Sequence, residues 1–292
     1  MLQWILDVVR GAVIGVSNII PGVSGGTMAV SMGIYDRVIY AVNQLFRQFK
    51  KSFREILPIL IGVLIGLFAF AALIGSLLGT NSDEIPGTRL PTNFAFIGLI
   101  LGGLPAIFKR VNMREAKFPG LILFLLFLAL VVVLPLLSPP EMRTVDHSLG
   151  TALLMIPLGA IASTTMVIPG VSGSMILMLL GYYNSVINAM NDLRSRDWSS
   201  LMILAPYVIG LVLGIVFIAK LMNYLLREHA ALTFCAIFGL VVGSPVTLLM
   251  QNRECFPLAN GGTWIASIVC LVIGFAIAWF MSTLDNQQSK KN

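Results

Sequence analysis

Two short segments of this chain carry residue types suited to holding an anion. Pro21-Gly22-Val23-Ser24-Gly25-Gly26-Thr27 and Pro169-Gly170-Val171-Ser172-Gly173-Ser174 each interrupt an apolar stretch of about 40 residues. The hydroxyls of Ser24, Thr27, Ser172 and Ser174 can donate to an oxyanion. Gly22, Gly25, Gly26, Gly170 and Gly173 allow close approach of backbone to a ligand. Proline, having no N–H, ends the helix that precedes each turn. The helix that follows then points its unpaired N–H groups and positive dipole end at the turn. Phosphate suits such a site.

A simpler reading of either turn alone makes Ser24 and Ser172 helix caps and the glycines packing residues. Irregular backbone at membrane depth is costly, however, unless it is buried in protein or lines a wet cavity. Its appearance twice favours a ligand site, which in transporters of duplicated architecture lies near the midplane.

Charge adds three candidates. Asp7 and Arg10 lie three apart on one face of the first helix, and an intramembrane charge is a functional candidate by default. Arg10 is expected to meet the anion, with Asp7 orienting it or carrying a coupling proton. The equal alternative is a mutually neutralised pair near the cytoplasmic interface. Their counterparts in the second half, Met155 and Leu158, are uncharged. Arg37, beside Asp36, is expected at headgroup level and is kept as a further contact for the ligand.

The elements that must position these residues form a repeat. Ile20–Asn43 aligns with Ile168–Asn191 at an offset of 148, with 12 of 24 positions identical. The register continues through Pro58/Pro206, Gly62/Gly210 and Gly66/Gly214, and with a small shift Gly98 and Gly102 match Gly239 and Gly243. Such persistence marks a duplication. The first repeat is assigned to 1–140, with a hairpin at 2–42 and spans at 56–79, 93–108 and 118–137. The second is assigned to 149–284, with a hairpin at 149–190 and spans at 201–226, 232–250 and 264–283. Each hairpin's second helix is expected to run unbroken, over 26–42 and 174–190. An even hairpin plus three spans makes each half odd, so the halves are predicted to be inverted. The expected fold is an all-α polytopic membrane protein of two inverted-topology repeats, each a broken or re-entrant hairpin plus three transmembrane helices.

Loop charge supports one orientation. Eleven basic residues (Arg47, Lys50, Lys51, Arg54, Lys109, Arg110, Arg114, Lys117, Arg227, Lys290, Lys291) fall on the side assigned inside. Five (Arg89, Arg143, Arg194, Arg196, Arg253) fall outside, so both termini are expected in the cytoplasm. Phe46, Phe49 and Phe53 alternate with basic residues and predict a surface amphipathic helix that touches membrane lipids.

Composition narrows the classes. Hydrophobic residues make up 57% of the 292 and charged ones 11%, against roughly 25% charged in soluble proteins. The net charge of +6 resides in short loops and reads as topology, so no nucleic acid is expected. Cys235, Cys255 and Cys270 lack the spacing of a metal site or disulfide framework. The N-terminus, interrupted by Asp7 and Arg10, does not read as a signal peptide. Gly22-Val23-Ser24-Gly25-Gly26 formally fits a serine-hydrolase elbow, but the only histidines, His147 and His229, fall in loops predicted on opposite sides. Neither an enzyme nor a cofactor or metal is expected. A small-anion channel or exchanger competes with a transporter of larger anions. Oligomeric state has no signature here.

Arg10-Gly11, the run Ile20 to Thr27, Gly33-Ile34-Tyr35-Asp36-Arg37, Pro169 to Ser174 and Gly181-Tyr182-Tyr183 together resemble the PopT family of polyprenyl-phosphate transporters, over nearly the whole chain. The resemblance implies return of undecaprenyl phosphate from the outer to the inner leaflet of the bacterial cytoplasmic membrane. The turns would hold the phosphate, helped by Arg10 and the hydroxyls of Ser24, Thr27, Ser172 and Ser174, while the polyprenyl tail stays in lipid. Rocking of the halves would expose it to each leaflet in turn. A proton on Asp7 or a sodium ion at backbone carbonyls would supply the coupling.

Overall fold

The computed structural model describes residues 2–19, 24–45, 47–78, 86–137, 143 and 145–289. Pro21, Gly22 and Val23 of the first turn, Phe46, Lys290 and Lys291 lie outside them. Among the described residues there are twelve α-helices and no strand. They are α1 (Leu2–Ile19), α2 (Gly25–Ser31), α3 (Tyr35–Gln44), α4 (Phe49–Leu78), α5 (Pro86–Phe108) and α6 (Met113–Val133), then α7 (Leu149–Val167), α8 (Gly173–Leu180), α9 (Tyr183–Arg194), α10 (Leu201–Glu228), α11 (Ala230–Gln251) and α12 (Gly261–Ser289). Five described segments, within or around α5, α6, α10, α11 and α12, are long and apolar enough to cross a bilayer. The chain is an all-α polytopic membrane protein.

Three local features depart from the expected elements. The helix expected over 26–42 is two helices, α2 and α3, and that over 174–190 is α8 and α9. Gly33 (φ +74°) and Gly181 (φ +84°) stand in the left-handed region at these breaks, where a side chain would be strained. Apolar residues continue through both breaks, so the pattern alone reads as one helix. The amphipathic segment after α3 is not separate either. Nothing between Phe53 and Ile56 stops a helix, and Lys50, Lys51 and Arg54 form the first turns of α4. Phe49 and Phe53 stack there at 5.5 Å and remain exposed. In α6, Lys117 (φ 51°, ψ −148°) kinks the helix just before Pro119.

Helix pairing follows close backbone contact. α1 packs along α4 and α7 along α10. A Cβ at Gly11 would strike the Ile59 carbonyl, one at Gly62 that of Val8, and one at Gly66 that of Ala12. At the same offset of 148, Gly159 meets Tyr207, Gly210 meets Ile156 and Gly214 meets Ala160. The remaining spans pair crosswise. α5 of the first half packs on α12 of the second, with Gly98 against Leu271 and Gly102 against Phe275. α6 packs on α11, with Gly239 against Phe124. Small residues allow this approach in lipid, where apolarity alone does not drive helices together.

The crosswise pairing sets what is central. Of the α11 and α5 spans, 61% and 56% are buried, against 11% for α6 and 17% for α12. The main core therefore gathers around α2, α5 and α11, with Met28, Met32, Ile34, Ile100, Val241 and Leu248 almost wholly enclosed. Asn93 on α5 donates to the Asn252 side chain at the end of α11 (3.0 Å), a buried polar link between the halves.

Candidate functional site

Each turn is built by a helix that stops and a short one that starts. α7 ends at Val167, the backbone turns extended at Ile168, and buried Pro169 leads into Gly170 at φ +87°. A Cβ on Gly170 would lie 2.9 Å from the Leu240 carbonyl oxygen, so glycine lets the turn press onto α11. Ser172 and Ser24 adopt the same extended backbone before α8 and α2. Their hydroxyls then diverge. Ser24 Oγ accepts from Thr27 N–H at 3.4 Å and caps α2, whereas Ser172 Oγ makes no cap bond and pairs with Ser174 Oγ at 2.7 Å. The capping expectation therefore holds for one serine and not the other.

The two turns touch. Gly170 N–H donates to Thr27 Oγ1 at 2.5 Å, with Thr27 fully enclosed. Beside that bond lies a cavity of about 200 Å³ whose lining includes Ser24, Gly25, Ser172, Gly173 and Ser174 from the turns. Five of the eleven substrate-binding candidates thus share one space, drawn from both halves. Gly26, Thr27 and Gly170 are buried behind it, and Gly22 lies outside the described residues.

Three polar lining residues went unmarked by sequence reasoning as site residues: Asn18, Tyr183 and Tyr207. Asn18 is the last polar residue of α1, and its Oδ1 would lie 2.6 Å from a Cβ on Gly25, so that glycine makes room for the amide. Tyr207 sits where the first half has Ile59, and that apolar-to-phenol difference was the available signal. The polar groups lining the cavity are hydroxyls, phenols, an amide and backbone. Among the described residues no His, Cys, acid or base lines it, and no His/Cys/Asp/Glu cluster could hold a metal. Such a set can solvate an oxyanion by donation.

The charged candidates lie elsewhere. Asp7 Oδ1 accepts from Arg10 Nη1 at 3.2 Å and from Arg37 Nη2 at 2.6 Å, and Gln3 adds a donor at 3.5 Å. Arg10 is completely buried and Asp7 nearly so. Arg37 is therefore tied to α1 through Asp7 with about a third of its side chain exposed, while neighbouring Asp36 pairs with Arg110 after α5. The Asp7 carboxylate thus accepts from both guanidiniums. Arg10 precedes Asn18 by eight residues of continuous helix, about 12 Å, and neither Asp7, Arg10 nor Arg37 lines the cavity. The structure divides the candidates into a neutral cavity and a separate ionic triad.

In the second half the corresponding break is held by neutral contacts and one arginine. Arg143 N–H donates to the Gly181 carbonyl, Arg143 Nη1 to Tyr182 Oη at 3.1 Å, and Ser185 Oγ to the Arg143 carbonyl at 2.6 Å.

Comparison with known proteins is consistent in kind. The family described as undecaprenyl phosphate translocase-like matches residues 14–261 and 200–292. A polyprenyl-phosphate transporter of Staphylococcus aureus (strain NCTC 8325 / PS 47) is 31% identical over 281 residues, covering 94% of this chain and 95% of its own. A polyprenyl-phosphate transporter of Vibrio cholerae serotype O1 (strain ATCC 39315 / El Tor Inaba N16961) is 28% identical over 254 residues, covering 83% and 77%. No solved structure matches the chain.

Proposed function

The chain belongs to the undecaprenyl phosphate translocase-like family, and from that premise we propose that it moves polyprenyl phosphate across the bacterial cytoplasmic membrane. The substrate is undecaprenyl phosphate, returned from the outer leaflet to the inner one, and the protein acts without catalysing a reaction on it. The observation that carries the reading is the cavity shared by Ser24, Ser172 and Ser174, donors from both turns in one donor-rich space. A phosphate crossing the bilayer needs such a path, because an unsolvated charge in hydrocarbon is costly.

The halves act as inverted repeats with both termini in the cytoplasm. The glycine contacts repeated at one offset support the repeat, and the loop charges support the orientation. Rocking of one half against the other, about the Thr27–Gly170 contact, opens the cavity to each leaflet in turn. The Asp7 carboxylate between Arg10 and Arg37 is the site at which a coupling proton acts; sodium at backbone carbonyls is the competing choice.

Proteoliposomes test this directly, with leaflet-to-leaflet movement of polyprenyl phosphate assayed beside sulfate and chloride flux. Lipid movement that falls when Ser24→Ala is combined with Ser172→Ala, the protein still folded, supports both substrate and site. Free-anion flux without lipid movement replaces the substrate by a small anion. Unchanged lipid movement in the double variant removes the site assignment.

A further inference from the structure

The neutral cavity does not end at Tyr207. Tyr207, Val186 and Met190 also line a second, larger space of about 570 Å³ between α9 and α10. Beyond these shared residues the described walls are apolar, among them Leu204, Ala205 and Val208. Met190 and Val208 are about half exposed on the outer face of the helix pair, so the groove opens to the surroundings. Two adjoining spaces that share Val186, Met190 and Tyr207 as wall residues therefore run from serine hydroxyls to hydrocarbon. A ligand matching them carries an anionic head on a single apolar chain.

We propose that the α9–α10 groove holds the first isoprenyl units of the polyprenyl phosphate whose head lies in the cavity, and is the side opening through which the lipid enters. The proposal rests on the functional reading above. Moving a tail from bilayer to protein brings no gain in apolar burial, because lipid is already apolar. What the groove supplies is direction: it holds the chain so that the phosphate meets Ser24 and Ser172 instead of remaining at the interface. The groove follows α10 from Leu201 to Leu211, about 15 Å of helix.

The test compares farnesyl phosphate with inorganic phosphate as ligands for the full-length protein in nanodiscs. Ala205→Trp and Val208→Trp fill the groove from its exposed side. Both are expected to weaken farnesyl phosphate about tenfold, a difference of about 1.4 kcal/mol, and to leave inorganic phosphate unchanged, whereas Ser172→Ala weakens both ligands. Farnesyl phosphate bound as in wild type by both tryptophan variants, with Ser172→Ala still weakening it, overturns the groove and leaves the head site standing. No effect of Ser172→Ala on either ligand overturns the underlying reading. Independently of folding in the variants, a diazirine on the first isoprenyl unit should label Tyr183–Arg194 and Leu201–Leu211. Equal labelling by phosphatidylglycerol with the diazirine in its acyl chain would mean a general lipid contact and sink the proposal.

Discussion

Thr27 and Gly170, 143 residues apart in the chain, are joined by one buried hydrogen bond from the Gly170 N–H to the Thr27 hydroxyl oxygen. It is the direct polar link between the two turns among the described residues. A buried N–H deprived of its acceptor costs about 1–3 kcal/mol. Thr27→Val preserves the side chain's shape and removes the acceptor, so it should destabilise the protein by that amount, and Thr27→Ser should recover most of it. Thermal unfolding in one detergent measures both, and equal midpoints for the valine and serine variants would show that the bond contributes nothing.

The ionic triad predicts an asymmetry between partners. Asp7→Asn removes the buried carboxylate to which Arg10 donates at 3.2 Å, and breaking a buried pair costs about 3–5 kcal/mol. Arg37 keeps 35% of its side chain exposed, so Arg37→Gln should cost about 1 kcal/mol or less. Denaturation of the two variants decides this, and a larger loss from Arg37→Gln would contradict the geometry. If Asp7 carries the coupling proton, transport by any folded Asp7→Asn protein should lose its dependence on the pH gradient.

The glycine seams should be far less tolerant than other glycines. Gly62→Ala and Gly210→Ala drive a methyl into the carbonyls of Val8 and Ile156, and overpacking of this kind costs about 1–3 kcal/mol. Gly261 has open space around it, so Gly261→Ala should be neutral. Expression level and unfolding midpoint of the three variants form the comparison.

One pH effect follows at the start of α7. Asp146 accepts from the Thr151 and Ser148 hydroxyls, which hold its carboxyl below the usual carboxylate range. A lowered folded value means that the charged form is favoured by folding. The contribution is therefore complete above the unfolded value, about 3.9, and disappears as pH falls through the lower folded value. Asp146→Asn should accelerate amide exchange in the first turn of α7 at neutral pH. The difference from wild type should shrink towards zero under strong acid.

The membrane class and the residue types of the two turns are legible along the chain. Apolar length, the Pro-Gly pairs and the hydroxyls of Ser24 and Ser172 are properties of the local sequence, and a spanning segment must satisfy its backbone groups within itself. The breaks at Gly33 and Gly181 were harder to read, because a left-handed glycine leaves the surrounding apolar pattern intact. Which helices meet is set by tertiary packing. Apolarity does not drive helices together in lipid, so hydrophobicity ranks no pairing above another, and the choice of α12 for α5 rests on which backbone fits the Gly98 and Gly102 face. Tertiary contacts likewise carried Arg37 to Asp7, separated both from the cavity, and brought Asn18 and Tyr207 to its wall. A side chain's neighbours across helices depend on rotation and crossing of whole elements, which no spacing along one of them records.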